Sequence, residues 1–173
     1  PDVANAPSTA RFDKFVCVKK LGAGGMGEVW KAWDTQLNRW VALKFLKGGD
    51  DDQIARFTRE AQLAGQLSHP HIAAIYEVGQ AQNRHYIAMQ FVDGQTLKTL
   101  PRSNKKQFAR LIRDAARAVH AAHEQGIIHR DIKPENLMVS AVGSDLHLYV
   151  MDFGLARPTE GASDLSQQGL IVG

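Results

Sequence analysis

The densest chemistry in this 173-residue chain lies at His129-Arg130-Asp131-Ile132-Lys133-Pro134-Glu135-Asn136. A polar cluster of this kind, directly after a helical pattern and before a strand-like run, is poorly explained as structure alone. Asp131 can accept a hydroxyl proton or orient a nucleophile. Lys133 can neutralise a transferring phosphoryl group, and Asn136 can hold a divalent metal through its amide oxygen. Asp152-Phe153-Gly154 follows a strand-like end at Val150-Met151, sixteen residues after Asn136. A carboxylate there suits a hard cation that bridges phosphates. Asp-Phe-Gly alone is a common turn, so its weight comes from that spacing.

Two further features belong to the same chemistry. Gly22-Ala23-Gly24-Gly25-Met26-Gly27 fits G-x-G-x-x-G. Glycines let backbone N–H groups approach an anion closely, although the pattern alone is equally a turn. A dinucleotide fingerprint needs a helix next. Glu28-Val29-Trp30-Lys31-Ala32-Trp33 is strand-like instead, which favours a hairpin lying over phosphates. In Val41-Ala42-Leu43-Lys44-Phe45, alternation puts Val41, Leu43 and Phe45 on one face and Ala42 and Lys44 on the other. Glu60 sits beside the apolar stripe of a helix, where a lone carboxylate is costly. Lys44 is its expected partner, in a pair that could be purely structural.

The elements that must hold these residues can be read from periodicity. Strand patterns run at Phe15–Val18, Val29–Trp33, Trp40–Leu46, Ile72–Val78 and His85–Phe91. After the Asp-rich start near Asp50, Ile54, Phe57, Ala61, Ala64 and Leu67 recur at helical spacing. Asp93-Gly94 breaks the strand pattern. A second helix carries Phe108, Leu111, Ile112, Ala115, Val119 and Ala122 on one stripe, read as core, and Gly126 ends it. Short strands at Leu137–Val139 and Leu146–Met151 flank a turn at Gly143-Ser144. Residues 1–10 read as a flexible tail, and the chain from Arg157 onward as a polar loop. A strand-rich part followed by a helix-led part predicts an α+β fold with a cleft where they meet.

Composition excludes several classes. A net charge of +3, from 21 Lys and Arg against 18 Asp and Glu, is too small an excess to argue for nucleic acid. One cysteine, Cys17, rules out an internal disulfide and favours a reducing compartment. No stretch approaches the ~18 apolar residues of a membrane span, and no signal peptide is visible. The chain does not begin with Met and reads as a processed or excised piece.

Taken in order, Gly22-x-Gly24-x-x-Gly27-x-Val29, Val41-Ala42-Leu43-Lys44, Glu60, His129-Arg130-Asp131, Asn136 and Asp152-Phe153-Gly154 resemble the eukaryotic-type protein kinase family from about Arg11 onward. Gly24-Gly25-Met26-Gly27-Glu28-Val29 with Lys133-Pro134-Glu135-Asn136 looks most like its bacterial Ser/Thr branch. The resemblance implies a two-lobed fold: an N-lobe with hinge over 11–92 and the start of a C-lobe over 93–173. It implies transfer of the γ-phosphoryl group of ATP to Ser/Thr hydroxyls of proteins, with Mg²⁺. Lys44 would contact the α- and β-phosphates, oriented by Glu60. Asp131 would be the catalytic carboxylate, assisted by Lys133, and Asn136 and Asp152 the metal ligands. Adenine would lie between Val29 and Ala42 above and Met138 below, under Leu21 and the glycines. Met89 would be the gatekeeper, with Gln90 C=O and Val92 N–H as edge contacts and Asp93 or Thr96 near the ribose. His129 and Phe153 are expected in the core, and His69 and His71 in a loop.

The family's domain continues well past Gly173, so this chain alone is expected not to be a competent kinase. The resemblance suggests a cytoplasmic domain of a protein that could itself be membrane-tethered. Thr159, Ser163 and above all Ser166 are expected phosphorylation positions, with Arg130 to receive the phosphate. The oligomeric state stays open, a homodimer of the whole protein included. The rival readings are a nucleotide-binding pseudokinase or scaffold, and a small-molecule kinase.

Overall fold

The structure, a computed structural model, describes residues 3, 10–24, 27–143 and 145–153. A six-stranded antiparallel sheet takes up the first half. Its strands are β1 (Arg11–Phe12), β2 (Phe15–Gly24), β3 (Gly27–Asp34), β4 (Arg39–Leu46), β5 (Ile75–Ala81) and β6 (Arg84–Gln90). Their order is β1-β2-β3-β4-β6-β5. The alternation read in the sequence decides the sheet's two faces. Val41, Leu43 and Phe45 of β4 pack with Phe12, Phe15 and Tyr86. Ala42 faces the other way, against Phe57 and Ala61 of helix α1 (Asp51–Ala64) and Ile87 and Met89 of β6. Phe12 and Phe45 meet edge to face, centroids 4.7 Å apart.

Helix α1 starts where its cap dictates. Asp50 accepts from the Gln53 N–H at 2.8 Å, and Asp51 and Asp52 sit in the positively charged first turn. The helix ends at Ala64, so Leu67, expected on its stripe, reaches the core from the following turn. Strand β5 begins at Ile75, later than the apolar run implies, because Ile72 bridges Val150 and Ile72 N–H bonds within its own turn to His69 C=O. His71 stacks on His147 at 4.3 Å and ties that turn to the second half of the chain.

The second half is built on helix α2 (Lys105–Glu124), capped by Asn104, whose side chain accepts from Gln107 N–H at 3.0 Å. Gly126 follows at φ +74, a conformation that favours glycine at a helix end. Beside the helix lies a three-stranded sheet of β7 (Gln95–Thr96), β8 (Leu137–Val142) and β9 (Asp145–Val150). The short strand β7 has no periodicity by which sequence could find it. Leu111, Ala115, Ala118 and Ala122 pack against Leu137, Val139, Leu148 and Val150. Ile112, assigned to the same stripe, is exposed instead. Gly94 crosses β8 so closely that a Cβ would stand 2.1 Å from Val139 O.

Leu148 of β9 is fully buried in the core that packs helix α2 on the small sheet. Leu148→Ala should lower unfolding stability by about 2–5 kcal/mol in denaturant titration, because that packing has little freedom to collapse into the void.

Candidate active site

Between the two sheets lies a cleft of 580 Å³. Its roof comes from Leu21 of β2, Val29 of β3 and Ala42 of β4, and its floor includes Met138 of β8. Met89, Val92, Asp93 and Thr96 close one side, and Asn136 and Asp152 another. Thus Leu21, Val29, Ala42, Met89, Val92, Asp93, Thr96, Met138, Asn136 and Asp152, singled out far apart in sequence, share one cavity. Gln90 is tied elsewhere: its backbone N–H and side-chain Oε1 both bond Ala74. Lys19, Lys31 and Phe91 also line the cleft and were missed. The signal was present for Lys31, two residues after Val29 in β3 and so on the same face. Its ammonium stands 4.4 Å from the Trp40 ring centroid and 4.5 Å from that of Phe91.

The glycine hairpin joins β2 to β3, with Gly24 opposite Gly27. Gly27 has φ +136, and a Cβ there would stand 1.8 Å from Phe45 O, so only glycine fits. Around Gly22 and Gly24 a Cβ would meet nothing within 4 Å among the described residues. Gly25 and Met26 lie outside the described residues, as do Gly154, Thr159, Ser163 and Ser166.

The catalytic-type loop is held by its own polar groups. Asp131 N–H donates to His129 Nδ1 at 3.2 Å, which leaves the imidazole proton on Nε2 to bond Met151 O at 2.7 Å. His129 is 1 % exposed, and burial pushes its pKa below the usual value, favouring the neutral ring that these two bonds require. It meets the Phe153 ring edge on at 4.7 Å, in the core as expected. Pro134–Asn136 forms one 3-10 turn, from which Asn136 Nδ2 donates to Asp131 O at 2.8 Å and to Asp131 Oδ2 at 3.0 Å. Those donations settle which end of the amide is left over: the oxygen, a hard donor. Lys133 Nζ lies 2.7 Å from Asp131 Oδ2. The Lys133 ammonium, helped by the Asn136 amide, holds the Asp131 carboxyl below the usual carboxylate range. Arg130 and Asp152 have φ of +65 and +57, a strained backbone for residues with side chains.

One expectation is overturned. Lys44, 6 % exposed, does not pair with Glu60; its Nζ lies 2.9 Å from Asp152 Oδ1. Glu60 instead accepts from Arg130 Nη1, also at 2.9 Å. The buried ammonium needs a carboxylate, and Asp152 supplies it. Glu60 is left near the rim, where Arg130, projected outward by its left-handed backbone, meets it.

This arrangement of glycine hairpin, buried lysine, polar loop and carboxylate around one cleft defines a class. The family profile described as Protein kinase domain matches residues 15–169, and the chain belongs to that family. It is 40% identical over 174 residues to the serine/threonine-protein kinase PknD of Mycobacterium tuberculosis, with 95% of this chain and 25% of that protein covered. It is 38% identical over 172 residues to PknB of Mycobacterium leprae, with 93% of this chain and 27% of that protein covered. The chain therefore spans about a quarter of the length of these relatives. The crystal structure of the Mycobacterium tuberculosis PknI kinase domain superposes with a TM-score of 0.71 at 31% identity. That match covers 87% of this chain and 64% of the other. The two-lobed kinase fold expected from the motifs is the fold found.

Lys133→Met should raise the Asp131 carboxyl pKa toward the ordinary carboxylate value, since the first cause of its depression is gone. Carboxyl-carbon NMR across an acid titration reads this directly; an unmoved midpoint would leave the depression without its cause.

Proposed function

We propose that the chain is the nucleotide-binding and phosphoryl-transfer part of a kinase that transfers the γ-phosphoryl group of ATP to Ser/Thr hydroxyls of proteins. In this reading residues 11–92 are the N-lobe with its hinge, and 93–173 begin the C-lobe. The observation that carries it is an apolar slot whose wall ends in Asn136 and Asp152, with Lys44 paired to that Asp152 and Asp131 and Lys133 bonded in turn to Asn136 and to each other. An apolar slot suits a planar base, and the charged end suits phosphates. The relatives' names as serine/threonine-protein kinases support the same substrate class.

The oxygen donors fit Mg²⁺: the Asn136 amide oxygen left free of Asp131, and the Asp152 carboxylate, both on the cleft wall. Bound there, the ion would supply charge neutralisation to the phosphate oxygens. The rest of the work falls to the chain's own side chains. Lys44 binds α- and β-phosphate oxygens. The backbone of Gly22, Gly24 and Gly27 covers the phosphates and excludes water. Met89, the Gln90 C=O and the Val92 N–H edge the base, with Asp93 or Thr96 at the ribose. Asp131, kept ionised by Lys133, is a weak base at neutral pH. It orients the acceptor hydroxyl and takes its proton late, as bonding to phosphorus acidifies it. Lys133 stabilises the charge on the transferring group.

Glu60 and Arg130 give this reading a resting state. While Asp152 serves Lys44, Glu60 is held by Arg130. Were Asp152 to turn to a bound Mg²⁺, Glu60 is the carboxylate that could take its place at Lys44. A reducing, cytoplasmic setting suits the free thiol of Cys17. Among the described residues, no helix is long and apolar enough to cross a membrane.

Lys44→Met should weaken Mg-ATP binding by about 1.5–3 kcal/mol in calorimetry on this chain, the worth of a hydrogen bond to a charged group. Equal affinities in both proteins would remove Lys44 from the phosphate site. In the whole protein, Asp131→Asn should cut phosphotransfer by about 10²–10⁴-fold while ATP affinity stays near wild type. Retained turnover would take Asp131 out of the mechanism.

A further inference from the structure

The alternation that turns Val29 and Lys31 into the cleft turns Glu28 to the opposite face of the hairpin. There Glu28 Oε2 meets Lys20 Nζ at 2.8 Å, and its Oε1 meets Arg84 Nη2 at 2.5 Å. Arg84 comes from the start of β6. It reaches Glu28 by lying across the Phe45 ring of β4, its guanidinium carbon 4.0 Å from the centroid. Phe45 is the neighbour of Lys44. One carboxylate therefore joins β2, β3 and β6 over the top of β4.

The position of this triad matters more than its strength. Strand β2 carries a register shift between Lys20 and Gly22. Lys20 lies on the sheet side of that irregularity, whereas Glu28 pairs with Ala23 on the tip side. The Glu28–Lys20 contact spans the point where the glycine hairpin can bend relative to the sheet. On the β3 side Gly27 pairs with Leu46 and lies close against the Phe45 backbone, so the β2 arm is the one left to the charge contacts. A hollow of 300 Å³ lies beside the hairpin, bordered by Gly24, Gly27, Lys47 and the three charged residues. Isolated exposed ion pairs contribute little. Here two cations share one carboxylate, and Lys20 first, then Arg84, lower the Glu28 pKa to about 2.

We propose that Glu28 is a positioning residue for the glycine loop: with Lys20 and Arg84 it braces the hairpin from its outer face and sets its height over the phosphates. The inference rests on the reading of the cleft as a nucleotide site. It assigns the brace no contact with the nucleotide, so its effect should appear only with ligands that reach under the loop.

The test compares wild type, Glu28→Gln, Arg84→Met and the double variant by calorimetry with Mg-ATP and with adenosine. Melting temperatures and amide exchange of residues 22–24 are followed alongside. Each single variant should bind Mg-ATP about fivefold more weakly, as expected for loss of a partly exposed network. Adenosine affinity and melting temperature should hold, and exchange at 22–24 should quicken. The double variant should be no worse than either single, because all three break one network. Unchanged Mg-ATP affinity in Glu28→Gln, or an equal loss for adenosine, overturns the brace. If wild type binds neither ligand, the nucleotide reading is what fails. Amide exchange then judges the brace alone: quickened exchange at 22–24 in both single variants upholds it, and unchanged exchange sinks it.

Discussion

A buried ammonium must have a carboxylate beside it, and the site is organised around meeting that need for Lys44. At 6 % exposure it has lost most of its hydration, and an uncompensated charge there would be expelled or neutralised. The compensation comes from Asp152, far along the chain and supplied by the segment that leaves β9. The contact therefore requires both sheets to close on the same cleft. The two parts of the fold are joined there by a charge pair, and behind it by the bridge of Ile72 to Val150 and the stacked His71 and His147.

Once Asp152 is committed to Lys44, the other charges follow. Glu60 is released to Arg130, and Asp131 is served by Lys133 and Asn136. Each carboxylate in the group has a cation or an amide donor, so the site stores charge without leaving any of these three unpaired. Two residues of this network, Arg130 and Asp152, sit in left-handed backbone. Conformations of that kind persist only where surrounding contacts hold them, and they cluster where a side chain must be aimed. Here the surrounding contacts are those of His129, whose ring links Asp131 N–H to Met151 C=O and so locks the two strained segments to each other.

The roof of the cleft obeys different physics. The floor and back are packed apolar surfaces, whereas the glycine hairpin, tight against β4 at Gly27, has open space at Gly22 and Gly24 among the described residues and a hollow beside it. In the proposed nucleotide reading, a strap that admits a ligand is better held by contacts that can give than by dense packing. Charge pairs on its outer face hold it with modest energy and allow it to move, which packing of comparable extent would forbid.

Much of this was legible in the amino-acid sequence, because it depends on local rules. Period-two alternation assigned the faces of β4, and capping residues and helical spacing located α1 and α2; the resemblance to the kinase family, carried by the motifs, named ten of the residues that line the cleft. What sequence could not decide was which charges meet. Lys44 was paired by the sequence with Glu60, and the structure pairs it with Asp152. The choice depends on where α1 lies against the sheet and on the backbone turn at Asp152, both set by packing between distant elements. The same holds for Glu28, which reads as an ordinary polar strand residue. It becomes a hub only because β6 is folded beside β4, which brings Arg84 across Phe45 from 56 positions away. Side-chain type and spacing determine what a residue can do; long-range packing determines the partner with which it does it.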